Sequence, residues 1–177
     1  MTRIALTAAL LLATLSLSCG YQTTGSEPGP NTGYKWKSLY RDDIQTIAVP
    51  IFTNRDFTRN VEFDLTRAVI QKIEANTPYK VVPRTRADTI LEGEITAVSS
   101  TGLSYDRRTA TPQEQVVSVN INFIWKDLRS GRIIVQRQNF ETAAAFYPTL
   151  GEGEWYGQQE VVEKLATSIV QELQADW

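Results

Sequence analysis

Cys19 is the only thiol in the chain, and it stands just behind an apolar run from Ile4 to Leu17 that a single cation, Arg3, precedes. With no second cysteine it cannot form an internal disulfide, so its chemistry is that of a lone nucleophile open to modification. A second set of reactive types is basic. From Thr101 to Arg137 six cations (Arg107, Arg108, Lys126, Arg129, Arg132, Arg137) face three anions, whereas Gln138 to Trp177 holds one cation, Lys164, against seven anions. Guanidinium forks bond phosphate oxygens in pairs, so Arg107, Arg108, Lys126, Arg129 and Arg132 are candidates to hold an anionic ligand. The solvated end of a hairpin would carry the same charges. Glu92 and Glu94 lie two apart, which on a strand puts both carboxylates on one face at about 7 Å. Inverting glycosidases use such a spacing, but no cleft residues accompany this pair, and a wet sheet face is the simpler account. The chain has no histidine. Transition-metal sites and histidine-based acid-base or triad chemistry are therefore excluded, and most hydrolase readings with them.

The setting of Cys19 decides what its thiol does. One positive charge, a mostly apolar run of fourteen residues and then Ser18-Cys19-Gly20 have the layout of an export signal, read as residues 1–18. A membrane-spanning helix needs about 20 apolar residues, so this run is too short to remain as an anchor. Leu15-Ser16-Leu17-Ser18-Cys19 resembles a bacterial lipobox, whose cysteine is diacylated and becomes the new N-terminus, although the usual leucine three places before the cysteine is Ser16 here. Ser16 and Ser18 also suit an ordinary signal peptidase, so a soluble exported protein is the competing reading. Each buried acyl methylene contributes about 0.8 kcal/mol, and two chains anchor where one does not. Gly20 follows the cysteine where inner-membrane lipoproteins carry aspartate, which directs the expectation to the outer membrane, lipid-anchored on its periplasmic side.

Of 177 residues, 159 remain after the leader, enough for one core and a tether. Removing Arg3 leaves 17 Lys and Arg against 20 Asp and Glu, a net charge of −3. A general nucleic-acid binder would be basic, so nucleic acid is not an expected partner. Gly20 to Gly33 is rich in Gly, Pro, Thr and Ser and reads as a flexible tether with a reach of about 20 Å. The expected division is a lipidated, flexible stretch over 19–38 and a single domain over 39–177.

The elements that must position these groups follow from periodicity. Ile44 to Ile51 is apolar and β-branched, as in a strand buried on both faces, with pairing weakened at Pro50. Asp56 or Thr58 is the expected N-cap of a helix whose apolar stripe is Val61, Leu65, Ala68, Val69 and Ile73. Asn76-Thr77-Pro78 ends it. Tyr79 to Val82 reads as a short strand and Thr89 to Val98 as another, with Leu91, Gly93, Ile95 and Ala97 on one face. Ser99 to Pro112 looks irregular. Val117, Val119, Ile121, Phe123 and Trp125 alternate with Ser118, Asn120, Asn122 and Ile124, the pattern of a half-buried strand. Asp127 to Gly131 is a hairpin loop and Arg132 to Thr142 its return strand. A loop from Tyr147 to Gly157, whose aromatics Tyr147, Trp155 and Tyr156 together with Phe146 offer either a partner contact or packing, leads to a second amphipathic helix through Leu173 to near Trp177. The fold class is α+β, with two helices packed on one face of a mixed, mainly antiparallel four- to five-stranded sheet.

Cys19-Gly20-Tyr21, Ile47-Ala48-Val49-Pro50-Ile51-Phe52-Thr53-Asn54, Glu62, Tyr79-Lys80-Val81-Val82 and Ala87-Asp88-Thr89-Ile90-Leu91-Glu92-Gly93 occur together here. In this combination the chain resembles the lipopolysaccharide-assembly lipoproteins of the LptE family. The resemblance implies a two-helix, four-stranded domain lodged as a plug in the outer-membrane barrel LptD, binding lipopolysaccharide without catalysis or cofactor. CsgG-like secretion subunits and LpoB-like synthase activators share the strand-helix-strand opening, and a periplasm-facing regulatory lipoprotein is the alternative. Fourteen flexible residues are short for crossing to the cell wall, which favours the first reading.

Overall fold

The computed structural model describes residues 39–174, all within one compact unit. The expected leader, Cys19, the expected tether and the last residues to Trp177 lie outside the described residues.

The elements run β1 (Thr46–Ala48), β2 (Thr53–Asn54), α1 (Val61–Asn76), β3 (Lys80–Val81), β4 (Thr89–Tyr105), β5 (Pro112–Asp127), β6 (Ile133–Phe146) and α2 (Glu154–Gln171), with short 3-10 turns at Arg84–Arg86 and Pro148–Leu150. They form one six-stranded sheet in the order β3-β1-β4-β5-β6, with β2 pairing β4. Pairings of β1 with β3 and β4, and of β2 with β4, are parallel, whereas β4-β5 and β5-β6 are antiparallel. The mixed α+β sheet covered on one face by two helices is the architecture expected, with six strands counting the two-residue β2.

The helices bury their stripes against that face. Val61, Leu65, Ala68, Val69 and Ile73 of α1 and Val161, Val162, Leu165, Ala166, Ile169 and Val170 of α2 are buried with Leu91 and Ile95 of β4. The alternation of β5 is realised in full: Val117, Val119, Ile121, Phe123 and Trp125 are all buried beneath the helices. Each such large side chain removed from water contributes about 1.5–3 kcal/mol to the core.

Five expectations are corrected. The α1 N-cap is Asn60, in the left-handed region at φ 74, and neither Asp56 nor Thr58. Those two are committed to their own loop, where Asp56 Oδ1 accepts from Thr58 N at 2.8 Å and Asn54 Oδ1 from Asp56 N at 2.8 Å. Ser99 to Tyr105 is strand, paired with Pro112 to Ser118, because a hairpin ladder tolerates polar residues on both faces. Ala97 does not join Leu91 and Ile95. A bulge at Thr96 shifts the register between Ile95 and Ala97, so Ala97 turns to solvent and Val98 inward. The return strand runs on from Thr142 to Phe146, and Phe146 is buried in the core. Finally, α2 begins at Glu154, so Trp155 and Tyr156 occupy its first turn and lie outside the Tyr147–Gly153 loop.

Candidate functional site

β5 runs antiparallel to both its neighbours and acts as a ruler between two ends of the molecule. Its sixteen residues span about 50 Å at a rise of 3.3 Å each. Arg107 and Arg108 lie in the turn before it, while Lys126 is at its far end and Arg129 and Arg132 are in the turn beyond. The five candidate cations therefore fall into two groups at opposite ends of the sheet.

Both groups are displayed by the same local device. Asp106 Oδ1 accepts from Arg108 N at 2.7 Å and Thr109 N at 3.0 Å, and Asp127 Oδ1 accepts from Arg129 N at 2.7 Å and Ser130 N at 3.3 Å. In each turn the backbone N–H groups hold the aspartate below the usual carboxylate range. Gly131, at φ 70, closes the second turn.

The electrostatics of the two ends differ. Lys126 Nζ donates to Glu92 Oε2 at 2.6 Å, Arg84 lies 3.6 Å from Glu92 Oε1, and Arg129 forms an ion pair with Asp88. Asp88 also accepts from the Thr46 hydroxyl at 2.7 Å and from Thr46 N at 3.1 Å, and these bonds, the hydroxyl first, hold its carboxyl below the ordinary range. Arg107 and Arg108 have no ion-pair partner among the described residues. At the Arg129 end Lys126 and Arg129 are thus paired within the fold while Arg132 has no ion-pair partner among the described residues, and the Arg107 end has two cations available to an outside anion.

Glu92 and Glu94 share the face opposite the helices. Glu92 is bonded to Lys126, and Glu94 lies 2.5 Å from Arg55 Nε. Each carboxylate is occupied by a cation, the arrangement of a charged sheet surface. Asn120 and Asn122, on the outward face of β5, each serve a register shift: Thr96 Oγ1 donates to Asn120 Oδ1 at 3.2 Å, and Asn139 N donates to Asn122 Oδ1 at 2.9 Å. Asn139 has φ 52, so this bond satisfies a backbone group that the left-handed turn removes from the ladder.

The opening aromatics also separate. Phe146 is core, whereas Trp155 is 67% exposed. One exposed side chain was not singled out by sequence reasoning. Phe57 is 99% exposed at the tip of the β2-α1 loop, above the Asn54-Asp56-Thr58 ladder, which Asn54 Nδ2 completes by donating to Thr58 O at 2.7 Å and Glu62 Oε2 at 2.9 Å. The alternating polar residues Asn54, Asp56 and Thr58 were the available signal for a built loop.

The chain enters the described body at the Arg129 end. Tyr40 packs edge-on against Tyr79 with ring centroids 5.7 Å apart, and Arg41 N donates to Tyr79 Oη at 3.0 Å. Burial pushes the Tyr79 hydroxyl above its usual range.

Comparison with known proteins adds a family and a fold. A family model described as LptE, lipopolysaccharide-assembly, matches residues 44–176. No curated protein matches the sequence. Among solved structures, a hypothetical protein from Chlamydia trachomatis is similar at TM-score 0.53 and 10% identity, covering 72% of this chain and 94% of its own. A protein from Xanthomonas campestris is similar at TM-score 0.51 and 10% identity, covering 72% of this chain and 82% of its own. At such identities the likeness is one of fold.

Proposed function

This chain belongs to the LptE family of lipopolysaccharide-assembly proteins, and from that premise we propose that it works as a lipid-anchored, non-enzymatic binding partner in lipopolysaccharide delivery at the outer membrane. Acylated Cys19 holds the chain to the periplasmic side of that membrane. The body acts by contact, as a plug within an LptD-like β-barrel, and engages lipopolysaccharide without turnover. The observation that carries this reading is the family match over 44–176, which takes in nearly all of the described body.

Arrangement of charge gives the contact a direction. The chain enters beside Tyr79, at the end where Lys126 and Arg129 are already paired. Arg107 and Arg108, without an ion-pair partner among the described residues, stand at the other end, about 50 Å along β5, where guanidinium forks can meet the phosphates of a lipid headgroup. Arg132 belongs to the anchored end.

The test is affinity purification of the full chain from native membranes, with mass spectrometry of what accompanies it. A large outer-membrane β-barrel, together with lipopolysaccharide, is the expected result. Recovery of a penicillin-binding protein in its place would overturn the reading in favour of a synthase regulator.

A further inference from the structure

We propose that the cleft between the N-terminal halves of α1 and α2 is a carbohydrate-binding site that takes a short run of pyranose rings. The two helices run side by side in the same direction, tied farther along by Lys72 Nζ and Glu163 Oε2 at 3.1 Å. Between them lies a cleft of about 440 Å³, lined from Arg59 to Gln71 on one side and from Trp155 to Glu163 on the other. That volume lies in the range of small-ligand sites, about 300–1,000 Å³. Its floor is apolar, formed by the buried Val61, Ala68 and Val162.

The walls combine one flat aromatic with polar groups of both kinds. Trp155 lines the cleft with much of its indole in water. The ring lies against the Gly153 backbone, where an added Cβ would sit 2.9 Å from Trp155 Cδ1, and Tyr156 meets the indole edge-on at 6.1 Å. Around it stand Arg59, Arg67, Gln71, Gln158 and Gln159, whose side chains make no hydrogen bond or ion pair with another described residue, and Asp64, which is likewise uncommitted.

This set selects among ligand chemistries. An apolar ligand would strip water from two guanidiniums and three amides and return nothing. A polyanion would gain the arginines but meet Asp64, with Glu163 close by. A pyranose ring has an apolar C–H face to lie on the indole and a rim of hydroxyls that both donate and accept. Glutamine amides also do both, arginine donates and aspartate accepts, so each hydroxyl has a partner of the right sense. The proposal rests on the lipopolysaccharide reading only for the source of the sugar. The saccharide part of a glycolipid and the glycan of a cell wall share the same chemistry.

Two probes separate those sources: the lipid-free core oligosaccharide released from lipopolysaccharide by mild acid, and a hexamer of N-acetylglucosamine. Each is titrated calorimetrically into the detergent-solubilised full chain, with intact lipopolysaccharide titrated in parallel. At least one sugar is expected to bind. Trp155→Ala should weaken it by about tenfold or more, the loss typical of an aromatic anchor, with Trp155→Tyr restoring most of the affinity. Trp155 is exposed, so an unchanged melting temperature separates this loss from unfolding. Binding of neither sugar, or sugar binding indifferent to Trp155→Ala, overturns the site. If intact lipopolysaccharide still binds in that case, the proposed function stands without it. Binding of the N-acetylglucosamine hexamer alone, with no response to lipopolysaccharide, keeps the site and removes the proposed function.

Discussion

Thr46 and Asp88 exchange hydrogen bonds across the parallel junction of β1 and β4: the Thr46 hydroxyl donates to Asp88 Oδ2 at 2.7 Å, and Asp88 N donates to Thr46 Oγ1 at 2.9 Å. The same carboxylate accepts from Gln45 N and Thr46 N and pairs with Arg129 in the β5-β6 turn, while Leu128 N donates to Asp88 O at 2.9 Å. One aspartate thereby ties the first strand, the central strand and a hairpin end together. Asp88→Ala leaves the partly buried N–H and hydroxyl of Thr46 without their acceptor and should cost about 1–3 kcal/mol, read as a lower urea midpoint with unchanged slope. A midpoint equal to the parent's would show that water replaces the carboxylate at no cost.

The same residue predicts a pH dependence. Its folded pKa is depressed, chiefly by the Thr46 hydroxyl, so its stabilising contribution is whole above the unfolded value of about 3.9 and is lost as pH falls through the folded value. Asp88→Asn cannot titrate. Stability of the parent should therefore fall more steeply below about pH 4 than that of the variant. The check is a pair of urea midpoints at neutral pH and in mild acid for both proteins, and parallel losses would rule out Asp88 as a source. Asp56, Asp106 and Asp127, each held low by backbone N–H groups, remain in both and cancel in the difference.

Gly93 marks where β4 must let an aromatic ring pass. A Cβ there would sit 2.7 Å from Phe52 Cε2, and Phe52 is buried, with its N–H donating to Thr66 Oγ1 at 3.1 Å. The ring cannot retreat without loosening the β1-β2 connection from α1. Gly93→Ala should destabilise by about 1–3 kcal/mol as an overpacked core site. Adding Phe52→Leu should recover part of that loss, so the two changes together cost less than their sum. Simple additivity in a double-mutant cycle would disprove the clash.

How far the sequence revealed this fold can be judged from β4 and β5. On β5 Val117, Val119, Ile121, Phe123 and Trp125 are buried and the residues between them, Ile124 included, are only half-buried, so period-two alternation alone placed the strand and its face. On β4 the same rule held through Ile95 and failed at Ala97, because a bulge adds one residue and reverses the pattern beyond it. Nothing local in Ile95-Thr96-Ala97 announces that bulge. It becomes visible only when Asn120 on the neighbouring strand supplies the bond for Thr96. The basic residues were legible as types, yet their division between two ends depended on the full length of β5, which the polar stretch from Ser99 to Pro112 concealed. Trp155 was missed as a helix residue for a similar reason: Gly151, Gly153 and Gly157 read as loop, although Gly157 is buried within α2.

Cys19 carries a prediction independent of the fold. If its thiol is acylated, the intact mass of the mature chain should begin at Cys19 and exceed the polypeptide mass by the acyl groups, and Cys19→Ala should abolish that excess. At about 0.8 kcal/mol per buried methylene, two acyl chains also hold the chain in the membrane, so the variant should pass to the soluble fraction wherever the barrel partner is absent. An unmodified mature terminus would leave ordinary secretion as the explanation of the leader.

The two basic turns should respond to charge reversal in opposite ways. Arg107 and Arg108 are exposed and have no ion-pair partner among the described residues, so replacing both with glutamate removes nothing the fold uses. Stability should change by no more than about 0.5 kcal/mol, while affinity for lipopolysaccharide should fall, and fall less at high salt, where screening already weakens the attraction. Arg129→Glu places a carboxylate against Asp88, whose lone pairs already hold the β1-β4 junction, so it should lower the urea midpoint and leave any loss of ligand affinity secondary to that. If the Arg107 and Arg108 replacements left affinity untouched, the distal turn would be a solvated hairpin end. If Arg129→Glu instead weakened ligand binding at full stability, the anchored end would be the one that meets the phosphates, and the direction assigned to the contact would be reversed.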